Sequence, residues 1–196
     1  MTFIEQRLWE DNMTTFRGFI AIDINATPNI LKFLKDITNS NADVKLVEPQ
    51  NIHITLKFLG DVPEDKINDI EQIMKYSVKE IEPFTIKLSE TGVFPNQNYI
   101  KVIWIGIKDT ETIETIARSI DERLSQLGFK KEKRGFSAHL TIGRVKTAKN
   151  KQLLLKAIED YKDFEFSTQD VNSIKLKKSD LTPKGPIYTT LKEVKL

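Results

Sequence analysis

The stretch NIHITLKFLG, Asn51–Gly60, places a histidine inside the apolar alternation that is typical of a half-buried β-strand. A second stretch, SAHLTIGRV, Ser137–Val145, repeats the order histidine, apolar residue, threonine, apolar residue. The chain has only two histidines, His53 and His139, and each begins one of these patterns. Because a strand points alternate side chains to opposite faces, the histidine and threonine of each pattern share one face. The sequence therefore predicts two similar strands with matching polar faces.

The order of the predicted elements favours an α+β fold. An amphipathic helix follows each histidine strand, over residues 64–81 in the first case and 149–162 in the second. Paired strands occur in the middle of the chain and at its end without intervening helices, unlike the regular alternation of a doubly wound fold. The repeated strand-helix arrangement indicates two related lobes.

Composition limits the kinds of partner and chemistry. The 30 basic and 28 acidic side chains give a net charge of +2, which is too small for a general nucleic-acid coating protein, so any anion site must be local. The absence of cysteine excludes disulfides, thiolate metal ligands and cysteine catalysis. No apolar run approaches the roughly 18 residues of a membrane span, and the start lacks a signal-peptide pattern, so we expect a cytoplasmic protein without a membrane partner.

The domain prediction follows from the first predicted strand, FRGFIAIDI, which begins shortly after Met13. We therefore treat residues 1–12 as an N-terminal extension of undetermined kind. Residues 13–196 are long enough for one domain with a substantial core.

The side chains near the two histidines define the candidate site. Thr55 and Thr141 lie two positions after the histidines, about 7 Å along each strand, where their hydroxyls could approach the same phosphate-sized group. Strict alternation also puts Lys57 on the polar face and Phe58 on the apolar one. It puts Arg144 on the face opposite His139 unless a bulge at Gly143 changes the phase. The basic loop KKEKR, residues 130–134, could attract a polyanion, although such runs are more often solvated.

Several interpretations of the two histidines differ in chemistry. Either histidine alone is best explained as a packing or surface residue, but the repeated pattern favours a function. A catalytic zinc normally takes three protein ligands, and the sequence offers no histidine or cysteine as a third, which leaves only two histidines with a carboxylate. A Ser-His-Asp hydrolase would leave one histidine unexplained, and no G-x-S-x-G motif occurs. Two histidines across a cleft instead suit an acid and base pair for phosphodiester hydrolysis.

These motifs, HITL at His53–Leu56 and HLTI at His139–Ile142, resemble the paired His-x-Thr-x motifs of the two-histidine (2H) phosphoesterase superfamily. FRGFIAIDI near the start and LKKSDLTPKGPIYTTL near the end are similar to the LigT-type branch, the RNA 2′,3′-cyclic phosphodiesterases. The similarity covers nearly the whole chain after Met13, which makes it more specific than either motif alone.

The resemblance implies a bilobal α+β domain with a central cleft between two antiparallel sheet layers, flanking helices, and pseudo-twofold lobes that each carry one His-x-Thr-x strand. It also implies metal-independent opening of terminal 2′,3′-cyclic phosphates to 2′-phosphates, with no cofactor. His53 would donate a proton to the leaving 3′ oxygen and His139 would accept one from water. Thr55, Thr141 and Arg144 would bind the phosphate of an RNA end or nucleotide, and a monomer is expected.

Two alternatives stay open at the level of sequence. A 2′-5′ RNA ligase acting on tRNA halves would use the same residues in reverse. A non-catalytic RNA-end binding module would keep the cleft, although binding alone does not require an acid and base pair.

Overall fold

The computed structural model describes residues 14–132, 135–183 and 185–196. The extension predicted for residues 1–12 lies outside this range, and so do the last two residues of the basic loop 130–134.

The described chain folds into nine strands and four α-helices, in an order that matches the pattern of the sequence. The strands are β1 (Thr15–Asp23), β2 (Val44–Leu46), β3 (His53–Pro63), β4 (Phe84–Asn96), β5 (Tyr99–Lys108), β6 (His139–Val145), β7 (Glu165–Val171), β8 (Ser173–Thr182) and β9 (Gly185–Lys195). The helices are α1 (Pro28–Asn39), α2 (Ile67–Val78), α3 (Glu111–Gln126) and α4 (Lys151–Glu159). The α+β prediction is confirmed.

All strands belong to one curled antiparallel sheet with the order β7-β4-β5-β6-β3-β1-β8-β9, and the short β2 pairs with β6. The two histidine strands, β3 and β6, are neighbours at its centre. They divide the sheet into a first half, β3-β1-β8-β9, and a second half, β7-β4-β5-β6. The two predicted sheet layers are thus halves of one continuous sheet.

The halves exchange strands in a symmetric manner. β4 comes early in the chain but belongs to the second half of the sheet, where it pairs with β5 and β7. β8 comes late in the chain but belongs to the first half of the sheet, where it pairs with β1. Neither half of the sheet is therefore formed by a continuous half of the sequence.

The helices cover one face of the sheet. α2 and α3 pack against each other and on the first half, while α1 and α4 pack on the second. Apolar residues of the sheet, such as Ile54, Ile105 and Leu140, are fully buried beneath them. Because burying this apolar surface stabilises the fold, the opposite face of the sheet is left to line the cleft.

Candidate functional site

The two histidine motifs meet at a seam in the middle of the sheet. Ile54 of β3 lies opposite Leu140 of β6, and this is the single register pair between the two strands within the described residues. In this antiparallel register, His53 lies beside Thr141, and Thr55 lies beside His139. Cross-strand neighbours have Cα atoms about 4.5–5.5 Å apart. The fold thus brings the four motif residues together on the face that the helices leave uncovered.

A main-chain carbonyl orients the imidazole of His53. Its Nδ1 lies 2.7 Å from the carbonyl oxygen of Asn51, so Nδ1–H donates to that oxygen. Its Nε2 lies 3.1 Å from Oγ1 of Thr55, which donates to the neutral ring. Asn51 ends a short 3₁₀ turn, Pro49–Asn51, where the chain enters β3. The tautomer with the proton on Nδ1 leaves Nε2 as the reactive nitrogen.

His139 repeats this arrangement in the second motif. Its Nδ1 donates to the carbonyl oxygen of Ser137 at 2.8 Å, again two residues before the histidine. The second ring nitrogen is left for the cleft. Both histidines therefore offer Nε2, the atom that an acid and base pair would use.

Aromatic side chains flank both imidazoles. The ring of Phe19 lies 5.0 Å from that of His53, and Tyr188 of β9 contacts His53 edge-on at 5.4 Å. In the second motif, Phe94 contacts His139 edge-on at 5.2 Å, and Trp104 packs beside Phe94. These rings limit the movement of each imidazole and exclude water from one side of it.

The surroundings of His53 favour its neutral form in the ligand-free protein. Burial lowers the pKa of His53 below the ordinary value of 6.5. The hydrogen bond to Asn51 opposes this shift. The nearby positive charges of Lys177 and Arg144 lower the pKa further. A phosphate anion bound in the cleft would act in the opposite direction, because negative charge stabilises the imidazolium.

A charged cluster lies next to His53 on the same face. Asp23 of β1 is the register partner of His53, and it accepts hydrogen bonds from Lys175 at 3.0 Å and from Lys177. Burial raises the pKa of Asp23, but the hydrogen bonds from the two lysines outweigh burial and hold this pKa below its ordinary value. The cluster carries one net positive charge, which suits a neighbouring anion.

A β-bulge brings Arg144 onto the cleft face. Ile103 of β5 pairs with Gly143, and Trp104 pairs with Thr141, so Ile142 is the extra residue on β6. The bulge reverses the alternation, and the exposed Arg144 then shares the face of Thr141. The bulge that Arg144 needs in order to share a face with His139 is therefore present, and it lies at Ile142, one residue before Gly143.

A second bulge changes the predicted faces in the first motif. Ala21 pairs with Thr55 and Ile20 pairs with Lys57, so Leu56 is the extra residue of β3. The prediction that Lys57 lies on the polar face was wrong, because the bulge turns this side chain toward the helices. Phe58 was assigned to the core side, and it is instead 59% exposed on the cleft face.

Lys57 is part of a buried ion pair. Its side chain is 1% exposed, and Nζ donates to Oδ1 of Asp121 at 2.5 Å and to the carbonyl oxygen of Lys130 at 2.6 Å. Asp121 belongs to α3, and it also accepts a hydrogen bond from the amide of Glu132 at 3.1 Å. Lys57 therefore fixes part of the basic loop, which leads to His139, against β3 and α3.

Phe58 and Arg144 occupy equivalent places in the two motifs, each three residues after the motif threonine and just beyond a bulge. Sequence reasoning missed Phe58 because strict alternation hides it. The repeated bulge is visible only through the partner strands, β1 and β5.

The chemistry of the described residues is that of an acid and base pair beside an anion site. Within the described part of the chain, no three or more His, Cys, Asp or Glu side chains form a group that could hold a metal ion. None of the described helices is long and apolar enough to cross a membrane. The cleft combines two imidazoles, two hydroxyls and a guanidinium, which together suit a phosphoester.

This site and fold define a phosphoesterase of the two-histidine type. The family model for LigT-like phosphoesterases matches the chain twice, over residues 20–104 and 105–188. The chain belongs to this family, and the two matches agree with the two related lobes.

Curated relatives include proteins named RNA 2′,3′-cyclic phosphodiesterase. The chain is 49% identical to one from Methanocaldococcus jannaschii over 179 residues, 90% of this chain and 99% of the relative. It is 38% identical to one from Methanothermobacter thermautotrophicus over 182 residues, 92% of this chain and 98% of the relative.

Solved structures share the fold. A protein from Thermus thermophilus aligns with a TM-score of 0.76 at 24% identity, covering 92% of this chain and 97% of its own. Escherichia coli LigT complexed with 3′-AMP aligns with a TM-score of 0.71 at 22% identity, covering 93% of this chain and 99% of its own.

Proposed function

We propose that this protein is an RNA 2′,3′-cyclic phosphodiesterase that opens terminal cyclic phosphates to 2′-phosphates. The observation that carries the proposal is the seam, where two His-x-Thr-x motifs meet and each histidine donates Nδ1–H to a main-chain carbonyl oxygen, so that Nε2 is the reactive nitrogen of both. The names of the curated relatives support the same substrate.

In the proposed reaction, His139 accepts a proton from water as the water oxygen bonds to phosphorus. The bond from phosphorus to the 3′ oxygen breaks, and His53 donates a proton to this oxygen. The products are a 2′-phosphate and a free 3′-hydroxyl. His53 must be protonated for this role, so we expect the bound phosphate to raise a pKa that burial lowers in the free protein. No metal or other cofactor takes part in these steps.

Three further side chains are proposed to bind the phosphate. Thr55 and Thr141 would donate hydroxyl hydrogens to the non-bridging oxygens, and Arg144 would neutralise the charge that develops in the transition state. Donors that are already oriented lower the barrier because they need no reorganisation during the reaction. When substrate binds, the hydroxyl of Thr55 exchanges its contact with His53 for one with the phosphate.

The wider setting is also a proposal. We infer that residues 13–196 form a single bilobal domain, and that the protein acts as a cytoplasmic monomer on RNA ends or nucleotides. Sedimentation of the purified protein at several concentrations would test the monomer.

Incubation with a 2′,3′-cyclic nucleotide in EDTA, followed by separation of the product isomers, tests the activity. We expect turnover in EDTA and a 2′-phosphate product. A 3′-phosphate product, or a requirement for added metal, would contradict the proposed chemistry. Binding of cyclic-phosphate RNA without turnover would favour the RNA-end binding module, and joining of RNA halves in the same assay would favour the ligase.

A further inference from the structure

A cavity that shares Arg144 with the motif cleft, here called the side pocket, has a volume of about 420 Å³. It is lined by residues 98–101 of the β4–β5 turn and the start of β5, by residues 144–148 at the end of β6, and by Lys151 and Leu154 of α4. Arg144 belongs to both places, because it lines the side pocket and its positive charge acts on His53. The side pocket and the proposed phosphate site therefore share the side chain of Arg144.

The lining of the side pocket is strongly basic. It contains Lys101, Arg144, Lys146 and Lys151, and none of its described lining residues is acidic. Within the described residues, none of these four cations forms a salt bridge, whereas many other lysines of the chain do. Nζ of Lys151 donates to the carbonyl oxygen of Asn98 at 2.9 Å, and this hydrogen bond fixes the ammonium group in the lining of the side pocket. Such a local excess of cations favours a ligand with several negative charges.

The side pocket also offers an aromatic ring. Tyr99 is 61% exposed, and the ammonium of Lys101 lies over its ring at 5.1 Å from the centroid. Basic grooves with exposed aromatic rings bind single-stranded nucleic acids, since cations follow the backbone and rings stack on bases of any identity. A small inorganic anion would not use the ring.

We propose that the side pocket binds the RNA nucleotides immediately 5′ of the terminal cyclic phosphate. This inference rests on the proposed function, because a cyclic phosphate closes the 3′ end and the rest of the RNA can continue only in the 5′ direction. Arg144 lies at the junction, Tyr99 stacks on an upstream base, and Lys101 and Lys146 contact phosphates. The enzyme then prefers oligonucleotides to mononucleotides.

The kinetic test compares a 2′,3′-cyclic mononucleotide with a tetranucleotide that ends in the same cyclic phosphate. We expect kcat/KM of the wild type to be about tenfold higher for the tetranucleotide. The double variant Lys101→Ala/Lys146→Ala should lose most of this advantage and retain mononucleotide turnover. The matched control, Lys35→Ala/Lys79→Ala, removes the same charge from exposed positions outside the side pocket and should behave like the wild type.

A binding test separates this inference from the proposed activity. Fluorescence anisotropy measures the binding of a labelled tetranucleotide that ends in a 2′-phosphate at several salt concentrations. The slope of log binding constant against log salt concentration should be shallower by about 1.4 in the double variant than in the wild type, because each lost phosphate contact contributes about 0.7. Tyr99→Ala should weaken binding about tenfold, whereas Tyr99→Phe should not.

The outcomes distinguish the two proposals. Equal kcat/KM of the wild type for both substrates, or equal salt slopes in the double variant and the control, would overturn the side-pocket inference and leave the activity intact. Failure of the wild type to hydrolyse either substrate would overturn the proposed function, and the anisotropy measurement would then decide the side pocket alone.

Discussion

At the scale of single residues, the two histidines share an orientation, and their surroundings differ. Both Nδ1 atoms donate to a carbonyl two residues earlier, so the tautomer is the same in the two motifs. His53 is packed between Phe19 and Tyr188, whereas the second imidazole has one aromatic contact in the described residues, with Phe94. The same chemical group is therefore packed against different aromatic neighbours in the two motifs.

Replacing either histidine tests the acid and base pair. We expect His53→Ala and His139→Ala each to reduce kcat by about 10²–10⁴, because proton transfer by a positioned side chain contributes that much. RNA binding should stay measurable by anisotropy, since the phosphate contacts remain. Turnover like that of the wild type in either variant would remove that histidine from the mechanism.

Burial of His53 predicts a pH dependence of stability. The folded-state pKa lies below the unfolded value of 6.5, so the unfolded state binds more protons between these two values. The free energy of unfolding should therefore decrease as the pH falls through 6.5. Denaturant unfolding between pH 5 and 8 should show this decrease in the wild type and much less of it in His53→Gln. An equal decrease in the two proteins would contradict the assignment.

The alternation of the strands explains which residue predictions were right. Period-two alternation holds as far as Thr55 and Thr141, and the faces of the motif residues follow it. It still places Leu56 and Ile142 correctly in the core, and it fails from the next residue onward in both strands, because each contains a bulge at Leu56 or Ile142. A bulge depends on the register with a partner strand, so the sequence of one strand can suggest a bulge, as at Gly143, but cannot locate it. Lys57 was misplaced for this reason.

At the scale of elements, the Lys57 ion pair joins β3 to α3 and to the basic loop. Removing one partner of a buried pair leaves an uncompensated charge, and this is more costly than the pair itself. We expect Lys57→Met to lower the free energy of unfolding by about 3 kcal/mol or more. Lys57→Met/Asp121→Leu should recover a large part of that loss.

The matched control for this measurement is the exposed pair of Lys108 and Glu90, whose side chains are 50% and 46% exposed. Lys108→Met should change stability by no more than about 1 kcal/mol, because water already solvates the two charges. Equal losses for Lys57→Met and Lys108→Met in urea unfolding would show that the Lys57 pair is not a structural anchor.

At the scale of the whole molecule, the exchanged strands join the two lobes into one unit. Local patterns predicted the helices and most strands, because amphipathic periodicity is a local property. They also predicted the antiparallel pairing of β4 with β5, which a short turn connects. They could not predict that β4 pairs with β7 or that β8 pairs with β1, because these contacts are long-range. We therefore expect the two lobes seen in the sequence repeat to fold together as one unit.

We expect the slowest-exchanging amides of β1 and β5 to report the same opening free energy in native-state hydrogen exchange. Each half of the sheet needs strands from both halves of the chain, so neither can open fully while the other stays folded. Free energies that differ by several kcal/mol between the two strands would indicate that the lobes unfold separately.

The outer strands of the sheet have a consequence for behaviour at high concentration. β7 and β9 end the sheet, and unpaired edges of this kind can recruit strands from other molecules. Here α1 packs against β7 and α2 against β9, and β9 carries Lys192, Glu193 and Lys195. Charged edge strands disfavour strand addition, so we expect the charges of β9 to reduce aggregation through this end of the sheet.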